Sequence, residues 1–207
     1  MLKALNALKK HYDIPPLDIH LIKSIPFGAG LGGGSSDASH TLKLVNRFCG
    51  LGIGNERLER IASTIGADCP FFIRNKPVLA KGIGDQFKPV DLSLDGYYIC
   101  LVKPNVSVST AEAYSMVKPA QPEVSLKEVI KQPVERWKDL MVNDFEVSVF
   151  SKHPVIKEIK ERLYGEGAIY ASMSGSGSSL FGIFKEPTRI KEREIFRNCF
   201  VWEASFI

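Results

Sequence analysis

Pro26 to Ser36 reads PFGAGLGGGSS, and its glycines decide what the run can do. Closely spaced glycines let backbone N–H groups turn inward on an anion, because positive φ costs them little and no Cβ blocks close approach. Upstream, Ile19 to Ile25 reads as a strand, with Ile19 and Leu21 on one face and His20 and Ser24 on the other. Downstream, Ser35, Ser36 and Asp37 supply capping oxygens, and Leu42, Val45 and Cys49 keep a helical stripe as far as Gly50. Strand, glycine loop and helix in that order aim open N–H groups, and a macrodipole worth about half an elementary charge, at a phosphate. The residues expected around it are Pro26, Phe27, Gly28, Ala29, Gly30, Leu31, Gly32, Gly33, Gly34, Ser35 and Ser36, with the Ser36 hydroxyl as a candidate magnesium ligand.

Three rival readings of this loop can be weighed. A flexible linker rarely falls between a proline-stopped strand and a well-patterned helix. Gly28, Gly30 and Gly33 formally satisfy the dinucleotide fingerprint, but the first strand of that fold is buried on both faces, whereas His20, Lys23 and Ser24 interrupt this one. The P-loop pattern fails because no lysine follows the last glycine to reach the β and γ phosphates. A phosphate loop of a third kind is required, which points to a nucleotide-dependent small-molecule kinase.

Composition agrees with an enzyme of ordinary globular make-up. A 44% hydrophobic and 24% charged content over 207 residues argues against a disordered, fibrous or membrane-embedded chain. The net charge of +4 is spread along the chain, so nucleic-acid binding is not demanded and a focused anionic small ligand suits it equally. Cys49, Cys69, Cys100 and Cys199 form no CxxC pair, and the four histidines are scattered; free thiols in a reducing cytoplasm are expected, without a structural zinc. The start MLKALNALKK lacks the apolar stretch of a signal peptide, and no segment reaches membrane-spanning length.

Along the chain, Leu2, Leu5, Leu8 and Tyr12 predict a short helix, and Asn55 caps another carrying Leu58, Ile61, Ala62 and Ile65. Pro70 to Ile73 and Val78 to Lys81 read as strands, with turns at 82–85 and 94–96 and a boundary near residue 95. Residues 1–95 are then expected to form an amino-terminal domain and 96–207 a carboxy-terminal one. The second begins with a strand from Tyr97 to Lys103, followed by helices between Thr110 and Tyr164 and a strand from Ala168 to Ser172. After the Ser174 to Ser179 loop come a strand from Leu180 to Lys185, a helix from Thr188 to about Asn198 and a strand with Phe200, Trp202, Ala204 and Phe206 alternating. That order is the split βαβ of ferredoxin-like folds.

PFGAGLGGGSSDA, from Pro26 to Ala38, resembles the second motif of the GHMP small-molecule kinases, and ASMSGSGSS, from Ala171 to Ser179, resembles their glycine-rich third motif. The triple glycine, GADCPFF at Gly66 to Phe72 and NDFE at Asn143 to Glu146 narrow the resemblance to the branch that acts on a cytidine diphosphate-linked methylerythritol. The resemblance implies an α+β GHMP kinase fold, with a ribosomal-protein-S5-like amino-terminal domain and a ferredoxin-like carboxy-terminal domain. It also implies ATP and Mg2+, a small-molecule substrate with no nucleic acid or membrane, and phosphorylation of a 2-hydroxyl in isoprenoid precursor synthesis. Members begin with a further segment holding the first strands and a Pro-x-Lys-x-Asn-type motif; this chain is expected to lack it, leaving the amino-terminal domain incomplete and sheet edges that a homodimer could cover.

By the same resemblance, Pro26 to Ser36 hold the ATP phosphates and Asp68 is the catalytic base beside the substrate hydroxyl. Tyr114 stacks on cytosine, while Thr110, Gly175, Ser176 and Gly177 lie beside the substrate. Each has a plainer reading. Asp68 suits a turn between Gly66 and Pro70, Tyr114 suits a helical core position, and Ser174 to Ser179 suits a simple hairpin turn. Lys23, Lys81 and Lys103 read as solvated surface charges. The remaining alternatives are a non-catalytic nucleotide- or RNA-binding fragment of the same fold, or a kinase for another small alcohol.

Overall fold

The computed structural model describes residues 1–26 and 28–206, and the chain divides into two units. The first comprises Met1–Pro26 and Gly32–Asp91; the second comprises Phe27–Leu31 and Leu92–Ile207. Among the described residues no helix is long and apolar enough to cross a membrane. All four cysteines are free thiols.

In the first unit the leucine stripe folds as α1 (Leu2–Lys9), burying Leu5 and Leu8 while Leu2 faces solvent. It packs on α2 (Gly33–Phe48) and α3 (Asn55–Ser63), whose Leu42, Val45, Leu58 and Ile61 complete the core with Ile73. Asn46 fixes the connection between α2 and α3: its Nδ2 donates to the Ile53 carbonyl at 2.9 Å, and its Oδ1 accepts from the Ile53 N–H at 2.9 Å. Asn55, expected as a cap, is the first helical residue; Gly54 caps the helix in an extended conformation.

Two strand expectations fail here. Ile19 to Ile25 forms no ladder with any strand among the described residues; Ile19 packs partly buried against the helical core, whereas Leu21, Ile22 and Ile25 face outward, Ile22 being 92% exposed. Alternation alone does not make a strand without a neighbour to exchange hydrogen bonds. Pro70 to Ile73 is helical instead, as α4 (Phe71–Arg74), because Pro70 supplies a helical φ of −58° and has no N–H to give a ladder. Asn75 closes α4 in the left-handed region at φ 52°, which asparagine tolerates. Val78 to Lys81 is the strand expected, β1 (Val78–Lys81), and the turn after it leads into β2 (Gln86–Pro89), an antiparallel partner that sequence reading missed.

The second unit is built on four strands, β3 (Tyr98–Lys103), β4 (Tyr170–Met173), β5 (Leu180–Phe184) and β6 (Phe200–Ser205), hydrogen-bonded in the order β4-β5-β3-β6. Every pairing is antiparallel, so β3 and β4 run parallel with β5 inserted between them: the ferredoxin-like split βαβ. Between β3 and β4 come α5 (Thr110–Tyr114), α6 (Leu126–Val129), α7 (Trp137–Leu140), α8 (Glu146–Lys152) and α9 (Pro154–Gly165). Side-chain alternation along the strands feeds two cores. Ala171, Met173, Leu180 and Phe184 pack with Val149, Ile156 and Leu163, whereas Tyr170 and Ile183 pack with Val129, Val134 and Trp137.

The helix expected over Thr188 to Asn198 is instead two 3-10 turns, Ile190–Glu192 and Glu194–Phe196, separated by extended Arg193. Ile190 and Phe196 are both 1% exposed. Six residues apart, they would point about 120° away from each other on one α-helix, and the break lets both enter the core. Glu203 of β6 holds the segment through Thr188 Oγ1 and, at 3.0 Å, the Ile190 N–H.

Burial pushes the Cys100 thiol up from 9.0 to about 12, with Glu203 adding to the rise, and pushes the Tyr170 phenol up from 10.0 to about 12. Both groups are neutral when protonated, so a raised folded-state pKa adds stability that is complete below the unfolded value and disappears as pH climbs through the folded one. Stability is therefore expected to be flat to about pH 9 and to fall steeply towards pH 12, each group contributing on the order of 3 kcal/mol. Urea unfolding at stepped pH checks this, and Tyr170→Phe should make the alkaline fall shallower.

Candidate functional site

The loop crosses from the second unit to the first between Leu31 and Gly32. Gly28, Gly30 and Gly32 adopt φ of 65°, 75° and 63°, the left-handed conformation that glycine reaches without strain. Gly32 then caps α2, three residues before Ser35, the first of the residues expected in that role, with no side-chain cap bond. The first intrahelical bond runs from the Ser36 N–H to the Gly32 carbonyl at 2.9 Å, so the N–H groups of Gly33, Gly34 and Ser35 have no acceptor within the helix. A Cβ on Gly34 or Gly28 would meet nothing within 4 Å. Open donors, open space and the positive end of a sixteen-residue helix suit an anion. Phe27, expected in this loop, lies outside the described residues.

In the second unit the other glycine loop packs backbone to backbone on this one. A Cβ on Gly177 would fall 2.4 Å from both Cα and N of Gly30, and one on Gly30 would fall 2.4 Å from the Ser174 carbonyl oxygen. Ser174 Oγ donates to the Gly30 carbonyl at 2.9 Å, and the Ser179 N–H donates to the Ala29 carbonyl at 3.2 Å. Ser174 to Ser179 is thus a hairpin connection with a further task, bracing the anion loop. Ser178 and Ser179 are fully buried, and their hydroxyls have no hydrogen-bond partner among the described residues. Because an unsatisfied buried hydroxyl costs about 1–3 kcal/mol, Ser178→Ala and Ser179→Ala should leave the melting temperature unchanged or higher; a clear drop in either variant would contradict this burial.

The NDFE segment orders the turn from behind. Asn143 Nδ2 donates to the carbonyls of Met173 and Gly175, each at 2.8 Å. Glu146, 8% exposed, accepts from the Met173 N–H at 2.9 Å and pairs with Lys160 at 2.6 Å. Phe145 presents its ring to Tyr114, centroids 4.7 Å apart at 64°. Tyr114 is 60% exposed, which excludes the core reading. Thr110 stands one helical turn before it on α5, also exposed, with Ser109 capping the helix through the Glu112 N–H.

Asp68 lies in the first unit, exposed, in the turn between α3 and α4. Its neighbour Cys69 is 2% exposed, and buried Ser39 on α2 donates to the Cys69 carbonyl at 2.6 Å. A Cβ on Gly84 would sit 3.7 Å from Asp68 Oδ1, so the β1–β2 turn lies beside the carboxylate. α2 therefore opens with N–H groups that suit an anion and, nearly two turns later, pins the backbone that carries Asp68. Lys23, read from sequence as a surface charge, is 16% exposed and pairs with Asp37 of α2 at 2.5 Å. Its Nζ would be 3.1 Å from a Cβ on Gly33, which places a cation at the start of the helix.

These features agree with what the chain resembles. The GHMP kinases N terminal domain matches residues 1–76, and the GHMP kinases C terminal domain matches residues 125–199. The 4-diphosphocytidyl-2-C-methyl-D-erythritol kinase of Parabacteroides distasonis is 68% identical over 204 residues, which cover 99% of this chain and 75% of that one. The chain belongs to the GHMP kinases. The kinase of the same name from Bacteroides fragilis is 55% identical over 194 residues, covering 94% of this chain and 71% of its own. Among solved structures, a 4-(cytidine 5'-diphospho)-2C-methyl-D-erythritol kinase superposes with a TM-score of 0.74 at 31% identity, over 87% of this chain and 67% of that one.

In this GHMP kinase the donors that fit a nucleotide phosphate are the α2 N–H groups, with Lys23 near them. A metal finds less protein to hold it: among the described residues no group of three or more His, Cys, Asp or Glu side chains is placed around a common point. Ser36 Oγ is 3.3 Å from His40 Nδ1 on the next turn, so this hydroxyl could give a cation at most one ligand. Sequence reasoning read Lys23 only as a surface charge, used Asn143 and Glu146 only as family markers, and missed Ser39 altogether. A lysine three residues before Pro26 was the one local signal; the others act through tertiary contacts that no spacing encodes.

Proposed function

We propose that this GHMP kinase transfers the γ-phosphate of ATP to the 2-hydroxyl of 4-diphosphocytidyl-2-C-methyl-D-erythritol. The observation that carries the reading is the start of α2, where three N–H groups stand open behind a left-handed glycine loop. The identity of the acceptor rests on the likeness to the Parabacteroides distasonis kinase.

Phosphoryl transfer through a loose transition state asks for positioning and charge stabilisation more than for covalent chemistry. Gly28 to Ser36 hold the β and γ phosphates by backbone N–H donation, and Lys23 adds positive charge at the helix start. Ser36 would offer a magnesium ion one protein oxygen, and the ion would supply positive charge against the negative charge of the transferring phosphoryl group. Asp68 accepts the proton of the attacking hydroxyl as the new O–P bond forms. Tyr114 offers its exposed ring to the cytosine, and Thr110 and the Gly175, Ser176 and Gly177 backbone lie beside the substrate. The compartment proposed is the cytoplasm, consistent with four free thiols.

Incubation with ATP and a panel of alcohols tests the assignment. ADP should form with the diphosphocytidyl alcohol and not with mevalonate or homoserine; turnover of another alcohol in preference would reject the acceptor, and ATP binding without any turnover would favour a non-catalytic nucleotide-binding protein.

A further inference from the structure

The geometry points to Asn143 as a positioning residue for the nucleotide loop, acting through the Ser174 to Gly177 turn; the inference rests on the kinase reading above. Asn143 is half-buried on the segment before α8 and, among the described residues, makes no hydrogen bond to the glycine loop itself. Its two amide protons go to the carbonyls of Met173 and Gly175, each at 2.8 Å, and its Oδ1 accepts from the Phe145 N–H at 3.0 Å. Both donors and the acceptor are engaged, so one orientation of the amide is fixed.

The two carbonyls it grips flank Ser174. That residue supplies the hydroxyl bonded to the Gly30 carbonyl at 2.9 Å, and its own carbonyl oxygen would be 2.4 Å from a Cβ on Gly30. Asn143 therefore clamps the backbone on either side of Ser174, whose hydroxyl is bonded to Gly30. Glu146, three residues on, secures the strand end through the Met173 N–H at 2.9 Å, so NDFE acts as a bracket behind the turn. Without the amide, the Gly175 carbonyl loses the donor that holds it and the Met173 carbonyl is left with the longer bond from Ser172 Oγ at 3.4 Å, so the turn is held less firmly against Gly30.

The test titrates a non-hydrolysable ATP analogue against the wild-type chain, Asn143→Ala, Asn143→Ser, Asn143→Asp and, as a control for general destabilisation, Ile159→Val in the core. Asn143→Ala should weaken analogue binding about tenfold, with Asn143→Ser intermediate because one donor survives. Asn143→Asp should be worst, since a carboxylate would face two carbonyl oxygens. Ile159→Val should lower the melting temperature without moving the affinity. Where turnover is measured, KM for ATP should rise by the same factor as the binding constant in the Asn143 variants and stay unchanged in Ile159→Val. Unchanged affinity in Asn143→Ala and Asn143→Asp, or a loss that Ile159→Val reproduces at equal melting temperature, overturns the positioning role alone; a wild-type chain that binds no ATP analogue overturns the kinase reading with it.

Discussion

Asp68→Asn should lower kcat by roughly 10²- to 10⁴-fold, the range expected when a positioned proton acceptor is removed, while KM for ATP stays within about threefold. The split follows from where the two functions reside. In the proposed function nucleotide binding rests on backbone donors at the start of α2, whereas Asp68 is an exposed side chain in the turn between α3 and α4. Asparagine keeps the shape and loses the proton-accepting charge. The fold should not register the change, because the turn is held by buried Cys69 and its carbonyl bond from Ser39. Steady-state kinetics with ATP and the alcohol varied in turn is the check; equal losses in kcat and in ATP affinity would mean that Asp68 serves binding, and the assigned role would be wrong.

Gly177→Ala should damage nucleotide binding severely. Its Cβ would lie 2.4 Å from Cα and N of Gly30 and 2.7 Å from the Ala29 carbonyl carbon, all backbone atoms with no side chain free to yield. Overpacking of this kind costs about 1–3 kcal/mol. The larger effect falls on the ligand, since the strain is relieved only by moving Gly30, and we expect nucleotide affinity to drop more than tenfold, beyond about 1.4 kcal/mol. Gly30→Ala meets the Ser174 carbonyl at 2.4 Å and adds a left-handed φ of 75°, so it should behave alike. Gly34→Ala is the contrast: with nothing within 4 Å and a helical position, it should raise thermal stability by about 0.5–1 kcal/mol. Calorimetric unfolding alongside nucleotide titration separates the three; a well-bound nucleotide in Gly177→Ala would show that the two loops do not need to touch.

What could be read from the chain was whatever is written locally. A glycine loop leading into a helix and the ferredoxin-like strand order of the second unit follow from glycine pattern and alternation, and the structure has them, although Gly32 and Gly54 cap the two helices in place of the residues expected. Errors arose where alternation was taken for pairing, as at Ile19 to Ile25, or where proline geometry outweighed apolar composition, as at Pro70 to Ile73. Over Thr188 to Asn198, a helical stripe hid the demand that Ile190 and Phe196 both be buried.

The site was legible as separate pieces and opaque as an arrangement. Ser174 and Gly30 meet across 144 residues of sequence, and nothing in either motif announces that one loop supports the other. Asn143 and Glu146 look like a signature in sequence and act as a bracket in space. Ser39 carries no recognisable pattern at all, since an ordinary helical serine becomes a support for Asp68 only because Cys69 is buried next to it.

The central claim is that the chain phosphorylates one hydroxyl of one alcohol at the expense of ATP. The most direct measurement is phosphorus and proton nuclear magnetic resonance of a reaction containing the protein, ATP, magnesium and 4-diphosphocytidyl-2-C-methyl-D-erythritol. A new phosphomonoester signal coupled to the 2-position of the methylerythritol, growing in step with ADP, is the result predicted; ADP released with the alcohol unchanged, or phosphate on a different hydroxyl, would contradict the account.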